Sequence, residues 1–201
     1  MIDRNVLSDL DLPAVLAADL QANFECLVLS FQDRLYTFAL RLTGSVEDAE
    51  EVAQDTFVRA FRALEGYTVE RVGALALRPW LYQIAVNVVR NRSRGKRLQL
   101  TPFPTAEDGE TFEPRADPAE LPEAVWERSE RSRDLAALLR ELPERYRTAV
   151  ILRHVEGLGY GEAAIVLNQP VGTVKANVHR GVNLLRNALS TRIEEKQYFD
   201  G

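Results

Sequence analysis

Glu162-Ala163-Ala164-Ile165-Val166-Leu167-Asn168-Gln169-Pro170-Val171-Gly172-Thr173-Val174-Lys175-Ala176-Asn177-Val178-His179-Arg180 reads as two helices around a break. Ala163, Ala164 and Leu167 recur at helical spacing, and Asn168-Gln169-Pro170 interrupts them. A second helix is expected from near Thr173, a suitable N-cap. Val174, Val178, Val182, Leu185 and Leu189 form its apolar stripe. Lys175, His179, Asn183 and Arg186 form another face, with Thr173, Ala176, Asn177 and Arg180 beside it. This is the layout of a helix-turn-helix, in which the first residues of the second helix reach base edges in the major groove. Lys175 and Arg180 can donate to guanine or phosphate, and Asn177 can pair bidentately with adenine. A helical hairpin with a solvated basic face fits the same periodicity.

The charge map bears on that choice. The 201-residue chain has a net charge of −5, which taken alone argues against nucleic acid. The mean hides segregation: residues 1–66 balance to −7, 67–97 to +6, 98–130 to −7 and 131–201 to +3. Screening limits charge interactions to about 10 Å at ordinary salt, so a duplex feels the local potential. Two basic segments separated by an acidic one suggest two nucleic-acid contacts on one chain.

The rest of the chain also reads as helix. Phe24, Leu27, Val28 and Phe31 recur at i, i+3, i+4 and i+7, and Leu35, Phe38, Ala39 and Leu42 continue the stripe. Thr43-Gly44 ends that helix, and Ser45 caps the next, which runs to about Leu64. Residues 67–77 are expected to be a loop. Pro79 suits a first turn, and Trp80, Leu81, Ile84, Ala85 and Val88 give a third amphipathic helix with a basic end. Trp80 reads as a core residue. Residues 98–125 hold five of the nine prolines, are acidic and show no helical period. They read as a linker. The helical pattern restarts at Leu135, Leu138, Leu139 and Leu142. The expected fold is all-α: two small helical domains, 12–97 and 126–194, joined by a Pro-rich acidic linker, 98–125, with a helix-turn-helix in the C-terminal domain.

Several function classes are disfavoured. Cys26 is the only cysteine, so no internal disulfide or Cys-rich zinc site can form, and it reads as a core residue. The two histidines, His154 and His179, have no nucleophile or metal-ligand cluster around them. Glu51 and Asp55, one turn apart, could suggest acid–base chemistry, but a polar face is the better reading. No enzyme activity, metal or cofactor is expected. No run approaches the roughly 20 apolar residues of a membrane span, and no secretion signal is seen, which points to the cytoplasm.

Three stretches resemble one family. Leu142-Pro143-Glu144-Arg145-Tyr146-Arg147, Leu152-Arg153-His154-Val155-Glu156-Gly157-Leu158-Gly159-Tyr160 and Pro170-Val171-Gly172-Thr173-Val174-Lys175 look like the −35-binding domain of extracytoplasmic-function (ECF) sigma factors of the sigma-70 family. Leu35–Ser45 with Glu47–Phe61 resembles the segment that docks on core RNA polymerase. Arg78-Pro79-Trp80-Leu81-Tyr82-Gln83-Ile84-Ala85-Val86-Asn87 is similar to the element that recognises the −10 region, with Gln83 where arginine is usual. Three further departures stand out: Gly159-Tyr160 for Ser-Tyr, Ala163-Ala164 for Ile-Ala, and Ala176-Asn177 for Ser-Arg.

The resemblance implies roles. Glu51, Gln54, Asp55 and Arg59 would bind core polymerase. Tyr67, Asn87, Arg90, Arg92, Arg94, Lys96 and Arg97 would bind −10 DNA and the melted non-template strand, by charge along its backbone and stacking of bases. Thr173, Lys175, Ala176, Asn177, His179 and Arg180 would read the −35 element. The linker would thread toward the RNA path, although a plain tether fits it as well. An anti-sigma factor is the further expected partner. A conventional helix-turn-helix regulator, acting alone on an operator, is the alternative; it has no need of an acidic docking helix.

Overall fold

A computed structural model describes residues 9, 11–99 and 135–199, with side chains placed up to 93 in the first stretch and 191 in the second. The segment 100–134, which holds most of the expected linker, lies outside the described residues. All the regular structure described is helical.

The first unit begins with α1 (Leu12–Ala18), started by Pro13, whose missing N–H costs nothing in a first turn. Asp19 caps α2 (Leu20–Thr43), its carboxylate accepting from the Ala22 N–H at 3.0 Å. Gly44 ends α2 at φ +74°, a left-handed cap that glycine adopts without steric cost. Ser45 then caps α3 (Val46–Glu65) by accepting from the Asp48 N–H at 3.2 Å. Residues 67–77 are not simply a loop. Thr68 caps a short helix, α4 (Val69–Gly73), which lies against α1 and buries Val72. Then α5 (Leu77–Gln99) carries Pro79 in its first turn.

The apolar stripe of α2 is the centre of this unit. Leu27, Phe31, Leu35, Phe38 and Ala39 are buried, and Phe38 meets the Tyr82 ring edge-on at 4.7 Å between centroids. From α3, Val52, Thr56, Ala60 and Leu64 turn inward, and from α5, Leu81, Tyr82, Ala85, Val86 and Val88. Burial of one such side chain stabilises by about 1.5–3 kcal/mol. Cys26 is buried in the same core, as its neighbours suggest.

The second unit holds α6 (residues 135–141), α7 (Glu144–Val150), one wide turn of π-helix (Ile151–Val155), α8 (Tyr160–Leu167) and α9 (Val171–Phe199). Pro143 opens α7, and its carbonyl accepts from the Arg147 N–H at 3.0 Å. The π turn closes with the Glu156 N–H donating to the Ile151 carbonyl at 2.9 Å. Helix α9 lies across α7 at Gly181, where the backbones come close. A Cβ there would stand 2.5 Å from Val150 Cγ2 and 3.3 Å from the Tyr146 carbonyl oxygen.

The two units pack on each other, chiefly α5 against α8, and their buried apolar side chains join into one cluster. The Arg147 guanidinium donates to the Leu42 carbonyl of α2 at 2.8 Å.

Candidate nucleic-acid and polymerase interfaces

The turn of the helix-turn-helix is built as the sequence suggests. The Glu162 carboxylate accepts from the Gly159 N–H at 2.7 Å and fixes the start of α8. Asn168 ends α8 at φ +51°, a left-handed position that asparagine tolerates better than most residues. Helix α9 starts earlier than expected, at Val171, with the Val174 N–H donating to the Pro170 carbonyl at 3.1 Å. Thr173 therefore lies inside the first turn and is not the cap. The reason is Pro170, whose fixed φ readies the chain for a helix one residue later.

Val174 and Val178 are buried, and Thr173, Lys175, Ala176, His179 and Arg180 are exposed along the first turns of α9. Lys175 stands 5.6 Å from the Tyr160 ring centroid, and Arg153 stands 4.9 Å from it on the same tyrosine. Arg180, and then Arg145, whose guanidinium donates to the Tyr146 hydroxyl at 2.8 Å, hold that hydroxyl's pKa below the ordinary tyrosine value. Asn177 is placed differently. It is only 8% exposed, and its side-chain amide donates to Gln169 Oε1 at 3.3 Å. It ties the recognition helix to the turn and does not present its amide outward.

On α3, Glu51, Gln54 and Arg59 are exposed and Asp55 half-buried, all on the side away from the core. Asp55 and Arg59 pair at 3.7 Å. Between two solvent-exposed side chains this pairing contributes little to stability. Glu51 pairs across to α5 with Arg92, which also reaches Asp48 at 3.3 Å. Arg92 thus faces two carboxylates, and the expected basic end of α5 is partly neutralised within the fold. Phe24, Phe57 and Phe61 line an apolar groove beside this face, with Phe24 and Phe61 edge-on at 4.9 Å.

Of the other residues expected at the −10 DNA, Asn87 is exposed and Arg90 half-buried. The side chains of Arg94, Lys96 and Arg97 lie outside the described residues, although the helix continues through them. Tyr67 is half-buried, tilted against Trp80 at 6.2 Å, with Arg71 over its ring at 3.6 Å. Trp80 itself packs against the core.

One cluster was not expected from the sequence. Glu156, at the end of the π turn, is 9% exposed and accepts from three residues of the first unit. Arg41 donates at 3.3 Å to one carboxylate oxygen, the Tyr82 hydroxyl donates to the other, and Arg78 donates to the Glu156 backbone carbonyl. Burial, then the hydrogen bond and the charge of Glu156, push the Tyr82 hydroxyl well above the ordinary tyrosine range. Nearby, Gln83 donates to the Ile165 carbonyl at 2.9 Å. No local signal reveals this set, because its members are 74 to 115 residues apart. Among the described residues no cluster of His, Cys, Asp and Glu could hold a metal ion, and no helix is long and apolar enough to cross a membrane.

An exposed basic and polar helix face following a tight turn, in units whose described residues form only helices, suits a DNA-binding protein. Comparison with known proteins makes this specific. Residues 27–99 match Sigma-70 region 2, and residues 132–185 match Sigma-70, region 4. The chain is 36% identical over 178 residues to RNA polymerase sigma-H factor of Pseudomonas aeruginosa, covering 86% of this chain and 89% of that one. It is 33% identical to ECF RNA polymerase sigma factor SigW of Bacillus subtilis, covering 84% and 90% respectively. Among solved structures, the sigma factor RpoE of Bartonella quintana, in complex with the anti-sigma factor NepR, superposes with a TM-score of 0.64 at 25% identity, covering 84% of this chain and 97% of that one. CnrH, in complex with the cytosolic domain of CnrY, shares the fold with a TM-score of 0.63 at 24% identity, covering 91% and 97%.

The chain belongs to the sigma-70 family of RNA polymerase sigma factors and is of the ECF type. It directs transcription initiation and is not an enzyme.

Proposed function

We propose that residues 12–97 bind core polymerase and the −10 region, and that 126–194 read the −35 element. The exposed row Thr173, Lys175, Ala176, His179 and Arg180 over the buried Val174 and Val178 carries this reading, because it gives α9 one polar face free to enter a groove. Asn177 is a positioning residue in this reading. The outward face of α3, with Glu51, Gln54, Asp55 and Arg59, is the polymerase surface. Asn87, Arg90, Arg92, Arg94, Lys96 and Arg97 follow the non-template strand along α5, with Tyr67 beside them, and Arg92 joins them by exchanging its carboxylates for phosphate. The linker, 98–125, lies in the polymerase channel toward the RNA path, where its negative charge suits a basic lining. The chain acts in the cytoplasm, and an anti-sigma factor is its inhibitor, as the anti-sigma factor NepR seen with RpoE suggests.

Transcription in vitro tests the reading. Core polymerase with this chain, on genomic fragments, initiates at discrete sites that core alone does not use. Failure to bind core or to select sites overturns it. Replacing 105–123 with a neutral linker of equal length alters initiation or promoter escape; unchanged transcript yields leave the linker as a tether.

A further inference from the structure

A single helical turn does not hold itself together: nucleation outweighs its few hydrogen bonds, and isolated helices shorter than about 12 residues are marginal in water. Helix α4 (Val69–Gly73) has five residues and one buried side chain, Val72. It is held by packing, and the element it packs on chiefly is α1. There Ala17 Cβ lies 3.8 Å from the place a Cβ on Gly73 would take, an ordinary contact distance. Helix α1 is itself well seated. Leu12 and Leu16 are buried in the core of the unit. Arg34 of α2 donates to both carboxylate oxygens of Asp9, at 3.0 and 2.9 Å. The Asn23 amide donates to the Val15 and Asp19 carbonyls at 3.1 and 2.8 Å. Yet α1 precedes the stretch matched to Sigma-70 region 2, residues 27–99, and bears none of the groups assigned to polymerase or DNA.

What α4 carries gives α1 a role. Arg71 is exposed and lies over the Tyr67 ring at 3.6 Å, and Tyr67 is tilted against Trp80 at 6.2 Å. The three form a stack whose outer member is a planar guanidinium, a surface on which an unpaired base can lie. Trp80 is fixed by the long α5, and the Tyr67 N–H donates to the Leu64 carbonyl at the end of α3 at 3.0 Å. Arg71 has only α4 beneath it. We propose that α1 is a positioning element for the −10 strand. Ala17 and its buried neighbours seat Val72 and Gly73, α4 then sets Arg71 over Tyr67, and the finished stack receives a base of the melted strand. The inference rests on the assignment of Tyr67 to that strand.

Loosening α4 and then fastening it back to α1 tests this. The full chain is bound to core polymerase, and the probe is non-template single strand from a site at which this holoenzyme initiates. Val72→Ala should weaken strand binding about fivefold or more, as loss of a stacked base does. Affinity for core, and for a −35 duplex, should stay at the parental value, so general unfolding is told apart from a misplaced α4. Ala17→Cys with Gly73→Cys, in a Cys26→Ala background, places two thiols across the contact, and 3.8 Å between the Cβ positions suits a disulfide. Adding this pair to Val72→Ala should restore strand binding when oxidised and lose it again in dithiothreitol. Unchanged strand binding in Val72→Ala overturns the proposal. So does a parallel loss of core affinity, a failure of the disulfide to restore binding, or a disulfide that abolishes strand binding with Val72 intact. Tyr67→Ala separates the two levels. If it weakens strand binding and Val72→Ala does not, the positioning role alone fails; if Tyr67→Ala changes nothing, the −10 assignment fails and the role of α1 with it.

Discussion

Gly181→Ala is expected to destabilise the second unit, although glycine to alanine within a helix is ordinarily stabilising. The propensity gain is about 1 kcal/mol. Against it stands the crossing of α9 over α7, where the new methyl would sit 2.5 Å from Val150 Cγ2 and 3.3 Å from both Tyr146 Cβ and the Tyr146 carbonyl oxygen. Val150 is buried and β-branched, so its methyl cannot rotate away freely. The helices must move apart, and overpacking of this kind costs about 1–3 kcal/mol. The net loss is therefore up to about 2 kcal/mol, or as much as several degrees in Tm for a unit of about 60 residues. Gly172→Ala is the control, since nothing lies within 4 Å of its Cβ position, and it should be neutral or slightly stabilising. Thermal unfolding followed by circular dichroism, with affinity for a −35 duplex in parallel, is the assay. A Gly181→Ala protein that melts at or above the parent refutes the close-crossing argument. Equal losses from both substitutions would refute it too.

Arg180→Ala should weaken −35 binding by about 1–3 kcal/mol if the guanidinium reads a base, or lower the salt slope by about 0.9 if it meets a phosphate. A titration at several salt concentrations separates the two outcomes, and unchanged affinity counts against the reading face. Asn177→Ala should lower stability by about 1 kcal/mol and weaken all −35 sequences alike, because its amide holds Gln169 and not a base; loss confined to one base position in a binding selection would restore it as a reader. Tyr82 gives a pH signature. Its pKa is raised in the folded chain, so its contribution is whole below the unfolded value of 10.0 and declines as pH rises above it. Stability in urea should therefore fall above pH 10 in the parent, and less steeply in Tyr82→Phe; parallel curves would show that the hydroxyl is not the group concerned.

The elements that could be read from the sequence were those with long stripes. Phe31, Leu35, Phe38 and Leu42 mark α2 unmistakably, and Val174 and Val178 mark α9. Short elements escaped. Helix α1 buries only Leu12, Pro13 and Leu16, and α4 only Val72, too few positions to establish a period. Thr173 looked like a cap because threonine is one elsewhere, and Pro170 overrode it. Polar residues gave the least warning. Nothing in the neighbours of Asn177 distinguishes a buried amide from an exposed one, since it lies at the margin of the stripe. Arg92 counted as a free charge in the sequence, but its partners Asp48 and Glu51 come from another helix. The Glu156 cluster is beyond any local pattern, because only the packing of whole units brings Arg41 and Tyr82 to it.

The wide turn at Ile151–Val155 has a consequence for chain length. In an α-helix each residue advances about 100° around the axis. The Glu156 N–H instead reaches back five residues to Ile151, and the Leu158 N–H reaches back six to Leu152. One residue is therefore absorbed without lengthening the helix by a full step. Removing one of these five would restore ordinary winding and leave what lies beyond nearly in phase, whereas adding one would swing it by about 100° and carry the carboxylate away from its donors. The wide turn thus makes a single-residue gap tolerable here, and relatives one residue shorter should run through this stretch as plain α-helix with the carboxylate still facing its donors.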